Sequence, residues 1–395
     1  MERLVFCTFL YVIAMGTATA AMAEPYRPSH DTEVLETLPA PGDADQRQLR
    51  ELRATLAKDP MNRRLAVTVA RRYIQAARSE ADPRYHGYAH AALAPWWDLA
   101  KPPVDVLLLR AVVRQSRHDF DGALADLDRV LAARPRHQQA WLTRAFVLQV
   151  QGRHDAAMTS CQRLGPSVDR LVIATCIGRV ESLSGKAEAG YERLRRALDA
   201  SPDAEDRLRV WALTVLAEIA ARRGAPAAAE AHFRDALALG LRDPYLLGAY
   251  ADVLLDQGRA DEVVALLKDE TRVDALLLRL TIAAQRLGRA DAADHAAALR
   301  ARFAASRKRN DARHLREDAR FTLEVLGAPR RALGLAKANW RTQREPADAR
   351  LVLAAAVAAD AAGEARKILD WLARTGLQDA ALEPLVQRLK RGEDR

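Results

Sequence analysis

The sequence predicts an all-α protein, an α-solenoid of stacked helix pairs, on three observations. Ala and Leu dominate a chain that is 49% hydrophobic yet only 5% aromatic, a composition that favours helices packed through small side chains over strands. The segment beginning at Val104 recurs from Gln138 with an offset of 34 residues: Trp141 falls under Leu107, Ala145 under Ala111, Gly152 under His118 and Ala157 under Ala123. Third, Gly152, Gly185, Gly224, Gly258, Gly288, Gly327 and Gly363 each follow about 14 residues of helical pattern. A small or aliphatic residue comes five positions later in every case: Ala157, Gly190, Ala229, Val263, Ala293, Ala332 and Ile368. Intervals of 30 to 39 residues between those glycines suit a helix-turn-helix repeat with variable connectors.

This pattern resembles the tetratricopeptide repeat family: an aromatic or Leu, a small residue four on, a turn glycine, an early Ala in the second helix and a Pro at its end. Small residues at Ala111, Ala145, Gly178, Ala217 and Ala251 would let paired helices approach closely. A glycine at each turn accepts the left-handed conformation at a helix end, and Pro135 and Pro202 stop second helices. The resemblance spans roughly residues 60–380. It implies a right-handed superhelix of about eight to nine helix-turn-helix repeats, and says almost nothing about chemistry.

Taken in order, residues 1–23 have the form of a secretory signal peptide: Arg3, the apolar run LVFCTFLYVIAM, then small residues ending in Ala21-Met22-Ala23. Cleavage after Ala23 is expected, because the run is shorter than the roughly 20 residues of a spanning helix. Cys7 lacks the small residues that precede a lipidated cysteine. The expectation is therefore an exported, periplasmic protein without a transmembrane segment in its mature form. Residues 24–45 read as a flexible leader, 46–103 as irregular N-terminal helices in which Trp96 and Trp97 pack the start of the array, and 104–376 as the solenoid, with eight repeats. Residues 377–395 read as a capping helix and tail with a polar outer face. Arg320 breaks the pattern, standing where a first helix should carry a small residue.

The formal charge is +9, with Arg interleaved with acids along every helix. That is the pattern of solvated helix faces. With export, it argues against nucleic acid and leaves at most a preference for acidic partners or anionic surfaces. The densest basic segment, residues 300–318, reads as a solvated connector.

Several stretches invite a chemical reading and a simpler one. His154-Asp155 and His118-Asp119 could be acid/base pairs, but in the repeat they fall at the turn and the start of the second helix. There Asp155, Asp121, Asp261 and Asp291 serve as helix-start acids, and an exposed turn tunes protons poorly. SLSGKA around Gly185 and Lys186 lacks the earlier glycine of a phosphate loop, since that position is Val180. His86 and His90 share a helical spacing but imply no third metal ligand. No catalytic residue, metal site or cofactor is expected. Cys161 and Cys176 fall on helices that neighbour each other in consecutive repeats, so they either form a disulfide or lie buried as thiols.

The resemblance places binding on the inner groove formed by first helices. By the family's register the candidates are Phe146, Gln149, Arg179, Trp211, Glu218, Arg222, Tyr245 and Asp252. Mixed aromatic and charged groups along a groove suit a peptide or helix of a protein partner. The Lys and Asn set that clamps a C-terminal carboxylate in some members is absent. The expected function is a non-catalytic interaction scaffold or adaptor in the cell envelope. The alternatives are a metal-handling or enzyme-accessory protein and a self-associating architectural module.

Overall fold

The computed structural model describes residues 30, 32, 44–308 and 314–393, and every regular element among them is helical. The expected signal peptide and nearly all of the leader lie outside the described residues. The repeats belong to one compact unit, Leu49–Arg395.

After α1 (Ala44–Lys58), helices pair in chain order. α2 (Arg63–Ser79) packs on α3 (Arg84–Trp97), α4 (Val104–Ser116) on α5 (Phe120–Ala133) and α6 (Gln138–Val150) on α7 (His154–Gln162). The same holds for α8 (Arg170–Leu183) with α9 (Ala187–Asp199), α10 (Asp206–Arg222) with α11 (Pro226–Ala238) and α12 (Pro244–Asp256) with α13 (Ala260–Leu267). Then come α14 (Asp274–Arg286) with α15 (Ala292–Lys308), α16 (Leu315–Glu324) with α17 (Pro329–Trp340) and α18 (Pro346–Ala358) with α19 (Arg366–Thr375); α20 (Glu383–Glu393) follows. Each first helix also touches the first helix of the next pair, from α2 on α4 to α16 on α18. The first helices therefore make one continuous layer, as a solenoid requires.

The small positions do what their size permits. Ala111, Ala145, Ala217 and Ala251 are fully buried. Gly178 of α8 meets Gly190 of α9 so closely that a Cβ on Gly178 would stand 2.8 Å from the Gly190 carbonyl oxygen. Six of the turn glycines, from Gly152 to Gly327, hold φ between 60° and 76°, and in the first repeat His118 takes the same left-handed turn at φ 60°. Gly363 does not: it lies in the 3-10 turn Ala362–Ala365, and Asp360, at φ 51°, makes the left-handed turn instead. Asp119 caps α5 by accepting from the Gly122 amide at 3.0 Å, while Asp121 and Asp155 sit in the first turns of their helices.

The apolar interior forms separate clusters. Trp96 joins Tyr73 and Leu93 at the start of the array, and Leu127, Leu148 and Phe120 fill the next repeats. Phe233, Leu246 and Phe303 fill the centre, and Val352, Trp371 and Leu389 the last repeats. Cys161 of α7 and Cys176 of α8 are joined in a disulfide, their Cα atoms 5.7 Å apart. Of the two readings that spacing allowed, the bonded one holds.

The array returns on itself. The Arg344 amide donates to the Val150 carbonyl at 2.7 Å, and the Ala380 amide to the Arg222 carbonyl at 2.8 Å. The Gln343 side-chain amide donates to His118 Nδ1 at 2.9 Å, and the Trp371 ring lies 6.2 Å from that of His154. His154, expected on a solvated turn, is buried because α19 covers that turn. Of the basic segment, residues 309–313 lie outside the described residues, and on either side of them its arginines reach acids. Arg302 pairs with Asp274, Arg307 with Asp318 and Arg316 with Glu345 and Asp348, because helical spacing carries each guanidinium to an acid on a neighbouring element.

Candidate binding cavity on the inner face

The inner layer of first helices encloses a cavity of about 390 Å³. Its wall on one side comes from α8, α10 and α12, through Arg179, Glu218 and Tyr245. On the other side α16 and α18 contribute Arg316, Arg320, Glu345 and Arg350. Five of the eight groove candidates, Arg179, Glu218, Arg222, Tyr245 and Asp252, line it.

Arg179 sits at the junction of the two walls. Its guanidinium lies 5.9 Å from the centre of the Tyr245 ring and donates to Glu345 Oε1 at 3.2 Å. The Tyr245 hydroxyl donates to Glu218 Oε1 at 2.5 Å. Glu345 is held from a second side by Arg316, 2.7 Å from Oε2, and its own backbone amide donates to Asp348, completing a capping box at the start of α18. Burial acts to raise the Glu345 pKa, but the Arg316 and Arg179 charges outweigh it and the carboxyl is pulled below its ordinary range.

Asp252 is the second node. Arg279 donates to one carboxylate oxygen at 2.5 Å and Arg320 to the other at 2.6 Å. Burial opposes ionisation there, yet the two guanidiniums hold the Asp252 pKa at about 2. Arg320 thus departs from the repeat because its side chain crosses the cavity instead of packing under a second helix. Arg350 closes a third bridge to Asp256, at 2.5 and 2.6 Å.

The remaining candidates part company. Phe146 and Trp211 meet edge to face with ring centres 5.6 Å apart, half-buried on the inner layer. Gln149 is not available as a groove contact: it is 2% exposed, and no protein group bonds either polar atom of its amide. The physical reason lies next door, where Val150 is covered by the returning chain at Arg344. Arg222 donates to Ser182 Oγ at 2.7 Å, while its Nε is buried without a bonded partner. The pairing with Arg316, Arg320, Glu345 and Arg350 was not foreseen. Its one visible signal was the charged residue at 320 in a small-residue position.

His86 and His90 lie on α3, where Arg117 approaches His90 Nδ1 to 3.3 Å and the Trp97 ring stands 4.1 Å away. Burial first, and then the Arg117 charge, lower the His90 pKa. A guanidinium at that nitrogen disfavours a metal cation. Among the described residues no group of three or more His, Cys, Asp or Glu is placed to hold a metal ion, and no helix is long and apolar enough to cross a membrane.

No protein-family model matches the chain, and no curated protein sequence does. Solved structures similar to it include a tetratricopeptide repeat protein from Parabacteroides merdae, at 15% identity over 57% of this chain and 84% of that one, with a TM-score of 0.41. Another is the Cut9-Hcn1 hetero-tetramer of the APC/C, at 14% identity and a TM-score of 0.41. There the match takes in 88% of this chain and spans about half, 52%, of the other.

Proposed function

We propose that the protein is a non-catalytic interaction scaffold of the cell envelope that takes a peptide or helix of a protein partner against the inner face of its first helices. One observation carries this reading. Arg179, Tyr245 and Glu218 converge with the Phe146–Trp211 pair on a single continuous helical layer, offering charge, hydrogen bonding and aromatic surface. Export rests on the signal-like residues 1–23 alone.

Cross-linking and capture from the native envelope tests the reading. Partners held by the unaltered chain should be lost from the double variant Arg179→Ala, Trp211→Ala. They should be kept by Arg234→Ala, whose outward side chain is mostly exposed. Retention of every partner by the double variant would place binding elsewhere, and N-terminal sequencing of the mature chain would show whether it begins at Glu24.

A further inference from the structure

We propose that residues 343–346, backed by residues 376–380, form an intramolecular clasp that occupies the partner's place on the inner face. The external partner displaces it by presenting a carboxylate to Arg179 and Arg316 where Glu345 now sits. The inference rests on the scaffold reading and adds both the chemistry of the ligand and the state from which it binds.

Four observations point the same way. First, the segment is seated as a ligand would be: Gln343 bonds His118, the Arg344 amide bonds the end of α6, and the Glu345 carboxylate is shared by two arginines. A non-helical stretch whose carboxylate is held by two guanidiniums is seated as the acid of a bound peptide would be. Second, the turn glycines differ by location and not by sequence. A Cβ at Gly152 would stand 3.1 Å from the Arg344 Cβ, one at Gly185 would stand 3.0 Å from the Gly376 carbonyl oxygen, and one at Gly224 would stand 3.4 Å from the Ala380 Cβ. Gly258, Gly288 and Gly327, at the same repeat position, face nothing within 4 Å. The three consecutive turns at Gly152, Gly185 and Gly224 thus form a track that receives the returning chain.

Third, apart from the ring contact of Trp371 with His154, the seam is polar. The apolar cluster of the last repeats contains no buried residue from the first three, so α16–α20 keep their own core whether or not the seam is closed. Contacts made of ion pairs and hydrogen bonds exchange with water or with a competing ligand far more readily than a shared apolar core. Fourth, closure leaves polar groups unpaid: the Gln149 amide and Arg222 Nε are buried with no bonded protein group, next to the two backbone bonds that fasten the clasp. A buried unpaired amide disfavours the arrangement that buries it, so opening regains that cost.

The test uses the full chain and a labelled peptide of its own residues 341–350, RTQREPADAR. Glu345→Lys sets a positive charge against Arg179 and Arg316. Ala380→Pro removes the amide that bonds Arg222 and leaves the arginines untouched. Hydrogen exchange at the Arg344 amide, which bonds Val150 across the seam, should quicken about 10-fold or more in both variants while α10–α13 stay protected. Both should bind the peptide about 10-fold tighter than the unaltered chain, and the peptide carrying Gln in place of its glutamate should lose about 10-fold. If exchange quickens but neither variant takes up the peptide, the segment is no pseudo-ligand. If exchange changes in neither, the closure is permanent structure. Because the probe is the chain's own segment, these outcomes do not depend on whether the capture experiment finds an outside partner.

Discussion

Arg179 of α8 and Glu345 at the start of α18 are 166 residues apart in the chain and bonded at 3.2 Å. Repeat arrays are held mainly by neighbour contacts, so their ends ordinarily unfold independently. This pair, with its companions along the seam, ties the α18–α19 pair to the α6–α7 and α8–α9 pairs.

Removing the Glu345 charge should therefore be felt well beyond α18. Glu345→Gln keeps the size and the helix cap but gives up two charge-assisted bonds, which should cost about 2 kcal/mol in urea unfolding at neutral pH. The loss should appear in probes at both ends of the array. A change confined to α16–α20 would show that the seam does not couple them.

Asp252 sets an acid limit on stability. Its carboxyl is held at about 2 in the folded chain, below the ordinary aspartate value of 3.8. The stabilisation is therefore complete above pH 4 and is lost as pH falls toward 2. Nearly a third of the side chain, 30%, stays open to the cavity, so solvent screening leaves about 1 to 2 kcal/mol. Asp252→Asn should flatten the fall between pH 4 and pH 2, and an unchanged slope there would assign it to other carboxylates.

Histidine titration acts at milder pH. Burial first, partly opposed by Asp155, lowers the pKa of His154 beneath α19. The unfolded chain then binds the proton more readily than the folded one, so stability should decline as pH drops through the unfolded value near 6.5. Comparing urea midpoints at pH 7.5 and 5.5 for the unaltered chain and His154→Gln measures it. The variant should be the less pH-sensitive of the two.

Two glycines of one repeat position should respond unequally to alanine. Gly258→Ala meets open space and carries only the strain of a left-handed residue, about 1 to 2 kcal/mol. Gly185→Ala adds a backbone clash at 3.0 Å, worth about 1 to 3 kcal/mol more. Equal effects would mean that Gly376 yields without cost.

Cys161 and Cys176 should show no free thiol in the unfolded, unreduced chain. Replacing both with Ser should lower stability by about 3 kcal/mol, the loop-closure contribution expected for a separation of 15 residues.

The repeat was legible because it is local. The period of the small residues and the turn glycines defines each helix pair within about 34 residues, and pairing of neighbours follows from burying their apolar faces. Even Gly363 misled by only a few residues, since Asp360 tolerates the same left-handed turn. The family register likewise brought Arg179, Glu218, Tyr245 and Asp252 to one cavity wall. What no local pattern contains is the small rotation per repeat that, summed over the array, carries α16 and α18 back to face α8 and α12. Only that accumulated geometry sets Glu345 beside Arg179, buries Gln149 and His154, and turns Arg320 from an irregularity into a partner of Asp252. The sequence by itself determined which helices pair; tertiary structure decided which distant side chains share a site, because angles add along a solenoid while sequence periodicity records a single step.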